Sequence, residues 1–180
     1  MTFVRHSFSR DTRHQRRIDQ IATYELATYP IVDSKQKGHV MPIKSSATTT
    51  WNGTLIDGNG STRLATSGAA TLPVNWKARS AGSESITTPE ELLAAAHASC
   101  YAMALSHALT ENGATPPQLD VTVTVSFQPG EGVLGSHIQL TGEVPGLALD
   151  AFSAAAEYAK LNCPISQALS IPLTLAIELG

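Results

Sequence analysis

The sequence predicts an α+β fold, with helices segregated onto mostly antiparallel sheets. Three observations carry that prediction. Ser85 to Gly113 holds one long apolar helix with both ends marked. Strand-forming segments flank it as a meander before and a hairpin after. A shorter helical stretch then leads into a final strand, so the order is strands, long helix, hairpin, helix, strand. At 180 residues the chain has the length of one domain with a sizeable core.

Residues 1–40 stand apart as an N-terminal extension. Arg5, Arg10, Arg13, Arg16 and Arg17 face only Asp11 within the first seventeen positions. Three readings are open: an arginine-rich transit peptide, a flexible basic tail, or leader translated ahead of a true start at Met41. The third is preferred, and poor order is expected there. Residues 41–180 form the domain.

Within the domain, Ala47-Thr48-Thr49-Thr50-Trp51 is rich in strand formers, and Asn52-Gly53 is a hairpin-turn dipeptide. Thr54-Leu55-Ile56 is read as continuing the strand, Asp57-Gly58-Asn59-Gly60 as a second turn, and Arg63 to Thr66 as a further strand. The Gly-x-Gly here precedes no helix, so it is no dinucleotide fingerprint. Leu72 to Trp76 then leads to Lys77, Ala78 and Arg79.

The long helix opens at Thr88 as N-cap with Pro89 in the first helical position. Glu91, three after Thr88, completes a capping box, and Glu90 and Glu91 set negative charge at the positive end of the helix dipole. Asn112-Gly113 stops it. Between these ends it is apolar or small on every side, the pattern of a buried helix. His97 and His107 interrupt the run, which reads as too short for a membrane span.

After Pro116-Pro117, Val121, Val123, Val125 and Phe127 alternate with Thr122, Thr124 and Ser126, as in a half-buried strand. Pro129 to Gly132 turns the chain, and Leu134 to Glu143 returns. Asp150 is read as the cap of a helix from Ala151 to Leu161, burying Phe152, Ala155, Ala156 and Ala159. Pro164 opens a short helical turn through Ala168, and Pro172 to Leu179 is the last strand.

Composition narrows the function. A net charge of −3 and a pI near 6.0 argue against nucleic acid as the partner. Two cysteines with no Cys-x-x-Cys, and no Cys/His set at zinc spacing, argue against a structural metal or a secreted disulfide scaffold. No run reads as a signal-peptide core or a membrane anchor, so the expected compartment is the cytoplasm. No cofactor motif stands out.

The two cysteines remain. Cys100 lies in the middle of the long helix, where composition alone favours a small buried hydrophobe. A thiol there gains little from the helix N-terminus and needs a charged partner to ionise at neutral pH. Its setting, Thr87-Thr-Pro-Glu-Glu-Leu-Leu-Ala-Ala-Ala-His-Ala-Ser-Cys100, resembles the signature helix of the OsmC/Ohr family, the osmotically inducible and organic-hydroperoxide-resistance proteins. Cys163-Pro164-Ile165-Ser166 resembles that family's second motif. The likeness runs from about Ser45 to the C-terminus, and the arginine just before the Pro-Glu-Glu start leans to the OsmC branch.

That resemblance implies an OsmC-like fold, an intertwined homodimer around the central helices, and a thiol-dependent peroxidase that defends against oxidative and osmotic stress. It implies that Cys100 is the peroxidatic and Cys163 the resolving cysteine. Arg79 is the active-site arginine, with Arg63 as the rival, and Glu90 holds the arginine by a salt bridge. Glu91 is the runner-up acid. The implied partners are a small organic hydroperoxide and a dithiol or lipoyl-type reductant. Glu90 and Cys100 are ten residues apart on one helix, about 15 Å along its axis. They cannot touch within one chain, so either Arg79 bridges part of the gap or Glu90 serves the Cys100 of a partner subunit, and the site is expected at the dimer interface.

His97, three before Cys100, reads as structural before it reads as a base. Leu92, Leu93, Met103, Phe127 and Trp76 are the expected lining of an apolar substrate pocket. Two other readings stand beside the peroxidase: a non-catalytic scaffold that senses redox state or binds an acyl ligand, and a cysteine hydrolase using Cys100 and His97. Ser106 has no nucleophile-elbow context.

Overall fold

The computed structural model describes residues 41–116, 118–142 and 144–178. The extension over residues 1–40 lies outside them. The unit from Ser45 to Gly180 is compact, and the elements below belong to it.

Strands β1 (Thr48–Asn52), β2 (Asn59–Arg63) and β3 (Thr71–Asn75) form one antiparallel sheet in that order. Thr49 pairs with Thr62 across β1 and β2, and their hydroxyls bond at 2.9 Å. Two sequence expectations fail here. Leu55 to Asp57 form a turn, and Asn59-Gly60 belong to β2, which ends at Arg63. The glycines explain the shift. A Cβ on Gly60 would stand 2.4 Å from the Thr50 carbonyl oxygen, and one on Gly58 2.2 Å from that of Thr54. These glycines allow close backbone approach within the hairpin and do not mark its end.

A six-residue helix absent from the sequence reading, α1 (Trp76–Ala81), follows β3 directly. Asn75 caps it, its side-chain oxygen accepting from the Ala78 amide at 2.7 Å. Its last turn carries Arg79.

The long helix α2 (Pro89–Glu111) has the expected ends. Thr88 Oγ1 accepts from the Glu91 amide at 3.1 Å, while the Glu91 carboxylate accepts from the Thr87 hydroxyl instead of closing the reciprocal half of the box. At the other end Gly113, at φ 74°, donates to Thr110, and Ala114 donates to Leu109. That is a Schellman stop, which needs the left-handed residue. In length and mean hydropathy, 1.3, α2 does match a membrane-spanning helix, contrary to the sequence reading. Its buried stripe of Glu90, His97, Tyr101, Ala104, Leu105, Ala108 and Leu109 identifies it as a core helix.

Strands β4 (Asp120–Gln128), β5 (Gly132–Thr141) and β6 (Leu173–Glu178) make the second sheet. The β4–β5 hairpin is antiparallel, with a bulge at Ser126/Phe127. Strand β6 joins β5 in parallel, which demands a crossover. The crossover is α3 (Leu149–Asn162) and the short α4 (Pro164–Ala168). Ala148 occupies the N-cap of α3 without a side-chain bond, so Asp150 is a first-turn acid and not the cap. The core joins α2, α3 and this sheet through Tyr101, Leu105, Leu109, Ile138, Leu140, Phe152 and Ala156.

Within one chain α2 is not buried all round. Ala95, Ala96, Ser99 and Met103 are exposed, with Met103 at 68%. The all-round apolar pattern predicts burial, and the homodimer expected from the sequence would leave such a face open in a single chain.

Candidate functional site

The crossover brings the two cysteines together. Cys163 sits between α3 and α4 with its backbone held from both sides. Its N–H donates to Ala159 at 2.8 Å, ending α3, and its carbonyl accepts from Gln167 at 3.0 Å, opening α4. Its side chain is fully buried. Cys100 is half-buried on α2 and packs against the same cluster. The Cys163 thiol and the Ile165 backbone amide are the neighbouring groups that act on the Cys100 thiol. Both thiols are free of disulfide.

Burial is the largest influence on Cys100 and pushes its thiol up. The neighbouring Cys163 thiol pushes in the same direction, and the Ile165 amide opposes them. Within one chain, then, the environment favours the protonated thiol.

Arg79 and Glu90 form a separate cluster at the start of α2. Arg79 Nη2 and Nε donate to Glu90 Oε1 at 2.8 and 3.0 Å, and Nε reaches Oε2 at 3.3 Å. The planar fork suits a carboxylate. The guanidinium also lies over the Phe127 ring, 4.3 Å from its centroid, as a cation–π contact. Trp76 packs edge-on against Phe127 at 6.5 Å. Glu90 is buried, while a third of the Arg79 side chain stays open to solvent. Arg63 is exposed on β2, and Arg79 is the arginine that meets Glu90. Glu91 is occupied at the helix cap.

His97 belongs to neither cluster. It is fully buried, with Nδ1 2.8 Å from Ser136 Oγ on β5 and Nε2 2.8 Å from Ser166 Oγ on α4. Burial pushes its pKa down, towards the neutral ring. With both nitrogens engaged, it has none left to act as a base for Cys100, which removes the support for a Cys–His hydrolase. Sequence reasoning missed Ser136 altogether and took Ser166 only as part of a motif. The expected pocket lining is not gathered in one chain. Phe127 lies under Arg79 with Trp76 against the ring, while Met103 lies in an open depression with Pro116 and Leu119. Among the described residues no cluster of His, Cys, Asp and Glu is arranged to hold a metal.

Comparison with known proteins shows the family. The OsmC-like protein family matches residues 82–178. Peroxiredoxin OsmC of Escherichia coli is 36% identical over 142 residues, covering 77% of this chain and 99% of that protein. Two solved structures share the fold. An organic hydroperoxide resistance protein OsmC of Legionella pneumophila has a TM-score of 0.55 at 22% identity, covering 75% of this chain and 96% of that one. The organic hydroperoxide resistance protein OhrB of Bacillus subtilis has a TM-score of 0.52 at 21% identity, covering 75% and 98%.

Proposed function

The chain belongs to the OsmC-like family, and from that premise we propose that it is a cysteine-based peroxidase reducing organic hydroperoxides to alcohols in the cytoplasm. The observation that carries the reading is that the fold brings Cys163, distant in sequence, to act on the Cys100 thiol within one cluster. The name of the Escherichia coli relative, a peroxiredoxin, supports the same chemistry.

In this reading the Cys100 thiolate attacks one oxygen of the hydroperoxide. The O–O bond breaks, Cys100 becomes a sulfenic acid, and the other oxygen leaves as the alcohol. The Cys163 thiol then attacks the sulfenic sulfur, forming the Cys100–Cys163 disulfide and releasing water. A dithiol, small or lipoyl-type, reduces the disulfide and is itself oxidised to a disulfide.

The first step needs a thiolate, and a single chain raises the Cys100 pKa. A cation must therefore be supplied. Arg79, held by Glu90 about 15 Å along the helix from Cys100, is the candidate. The exposed apolar face of α2 supports a homodimer in which the Arg79–Glu90 pair of one copy serves the Cys100 of the other. Residues 41–180 carry this activity in the proposal, and residues 1–40 take no part.

The test is dithiol-dependent consumption of tert-butyl hydroperoxide by the wild type, Cys100→Ser and Cys163→Ser. Turnover abolished by Cys100→Ser, with an oxidised wild type that joins the two cysteines, is the expected result. A wild type with no turnover and two unreactive thiols would refute the enzyme and leave a ligand-binding or redox-sensing scaffold.

A further inference from the structure

We propose that His97 is a positioning residue of the thiol cycle: by holding Ser166 it fixes α4, and so keeps the Cys163 thiol and the Ile165 amide on Cys100. The inference rests on the peroxidase reading and extends it to a residue that never touches the substrate.

Three elements meet at the His97 ring. It projects from α2, the helix that carries Cys100, and its two nitrogens reach Ser136 on β5 and Ser166 on α4. All three side chains are buried. A neutral imidazole offers one donor and one acceptor, and each serine hydroxyl can take either role, so one tautomer satisfies both bonds. Hydrogen bonds are directional where apolar packing is not. The helix α4 has only five residues and no side-chain bond at its N-cap. Backbone bonds at Cys163 and the Gln167 bond to Leu161 tie this segment to α3, and the His97–Ser166 bond ties it to α2, the helix that carries Cys100.

That position matters because Cys163, Ile165 and Ser166 lie within one turn. The Ile165 amide on the Cys100 sulfur is the influence that favours the thiolate in a single chain. The Cys163 sulfur must then meet the sulfenic sulfur of Cys100. A disulfide tolerates a Cβ–Cβ distance of only about 3.5–4.5 Å, so a small shift of α4 slows closure. The sulfenic acid has a competing fate. A second hydroperoxide molecule gives it another oxygen, forming a sulfinic acid and a second alcohol, and that product does not return to the cycle with a dithiol. His97 therefore governs the partition of Cys100 between disulfide and sulfinic acid.

The experiment exposes the reduced wild type, Ser166→Ala, His97→Gln, His97→Leu and Cys163→Ser to rising tert-butyl hydroperoxide and reads the products by intact mass. Disulfide appears as a loss of two hydrogens and sulfinic acid as a gain of two oxygens. The wild type should close to the disulfide and Cys163→Ser should over-oxidise. Ser166→Ala and His97→Leu should reach half sulfinic acid at on the order of ten- to a hundredfold less peroxide than the wild type. His97→Gln, whose carboxamide can still bridge two hydroxyls, should fall between. A fold defect alone would not produce this ordering at native circular dichroism. Ser166→Ala loses a single hydroxyl and decides the matter should the His97 variants fail to fold. A folded Ser166→Ala that partitions like the wild type overturns the proposal while leaving the peroxidase intact. A wild type whose Cys100 yields neither product overturns both.

Discussion

At the scale of single residues, His97 couples the fold to pH. Burial favours its neutral form, so its folded pKa is depressed below the ordinary value of 6.5. Between the two pKa values the unfolded chain binds the extra proton. The stabilising contribution is thus complete above the unfolded pKa and is lost as pH falls below 6.5 towards the folded value. The loss is limited to about 1.4 kcal/mol per pH unit for one group. Urea unfolding at pH 7 and pH 5 should show a smaller loss of stability on acidification for His97→Gln than for the wild type. Equal losses would mean that His97 titrates alike in the folded and unfolded chains. The sequence displayed the histidine and ranked it structural before catalytic. It could not display Ser136, which comes from β5, far along the chain. The pairing of Arg79 with Glu90 was legible only through the family resemblance. The Phe127 ring beneath that arginine was named for a pocket and serves as the arginine's platform.

At the scale of elements, legibility followed local chemistry. Both ends of α2 were readable because caps are written in adjacent residues: Thr88 bonds the Glu91 amide, and Gly113 takes the left-handed turn. Thr88→Ala should cost about 1 kcal/mol, seen as a lower urea midpoint at unchanged slope. No change would show that water or the Thr87–Glu91 bond replaces the cap fully. The β1–β2 hairpin was misread because Gly58, Asn59 and Gly60 are turn-forming types, and their actual role depends on carbonyls of the preceding strand and loop. The helix α1 was missed because six residues cannot show a period. The fold class survived these errors, because it rests on the order of long elements and not on their boundaries.

At the scale of the molecule, the open face of α2 and the raised thiol of Cys100 ask for the same remedy. Ala95, Ala96, Ser99 and Met103 leave apolar surface on the longest helix, and such a face is covered when a second copy packs on it. Among the described residues no cation acts on Cys100, while Arg79 sits fixed and partly open. If a second copy delivers Arg79, assembly itself lowers the thiol pKa, by about 1–3 units for an opposite charge within contact range. Carboxylates placed on the face by Ala96→Glu with Met103→Glu should separate the copies, read by sedimentation. In a Cys163→Ser background, where Cys100 alone reports, the pH of half-maximal alkylation by iodoacetamide should then rise relative to the assembled protein, because the thiolate loses its cation. In the parent with Cys163 present, peroxide turnover should fall with dissociation. A separated chain that keeps both the alkylation midpoint and full turnover would show that one copy activates its own Cys100. The cation would then have to be sought within a single chain.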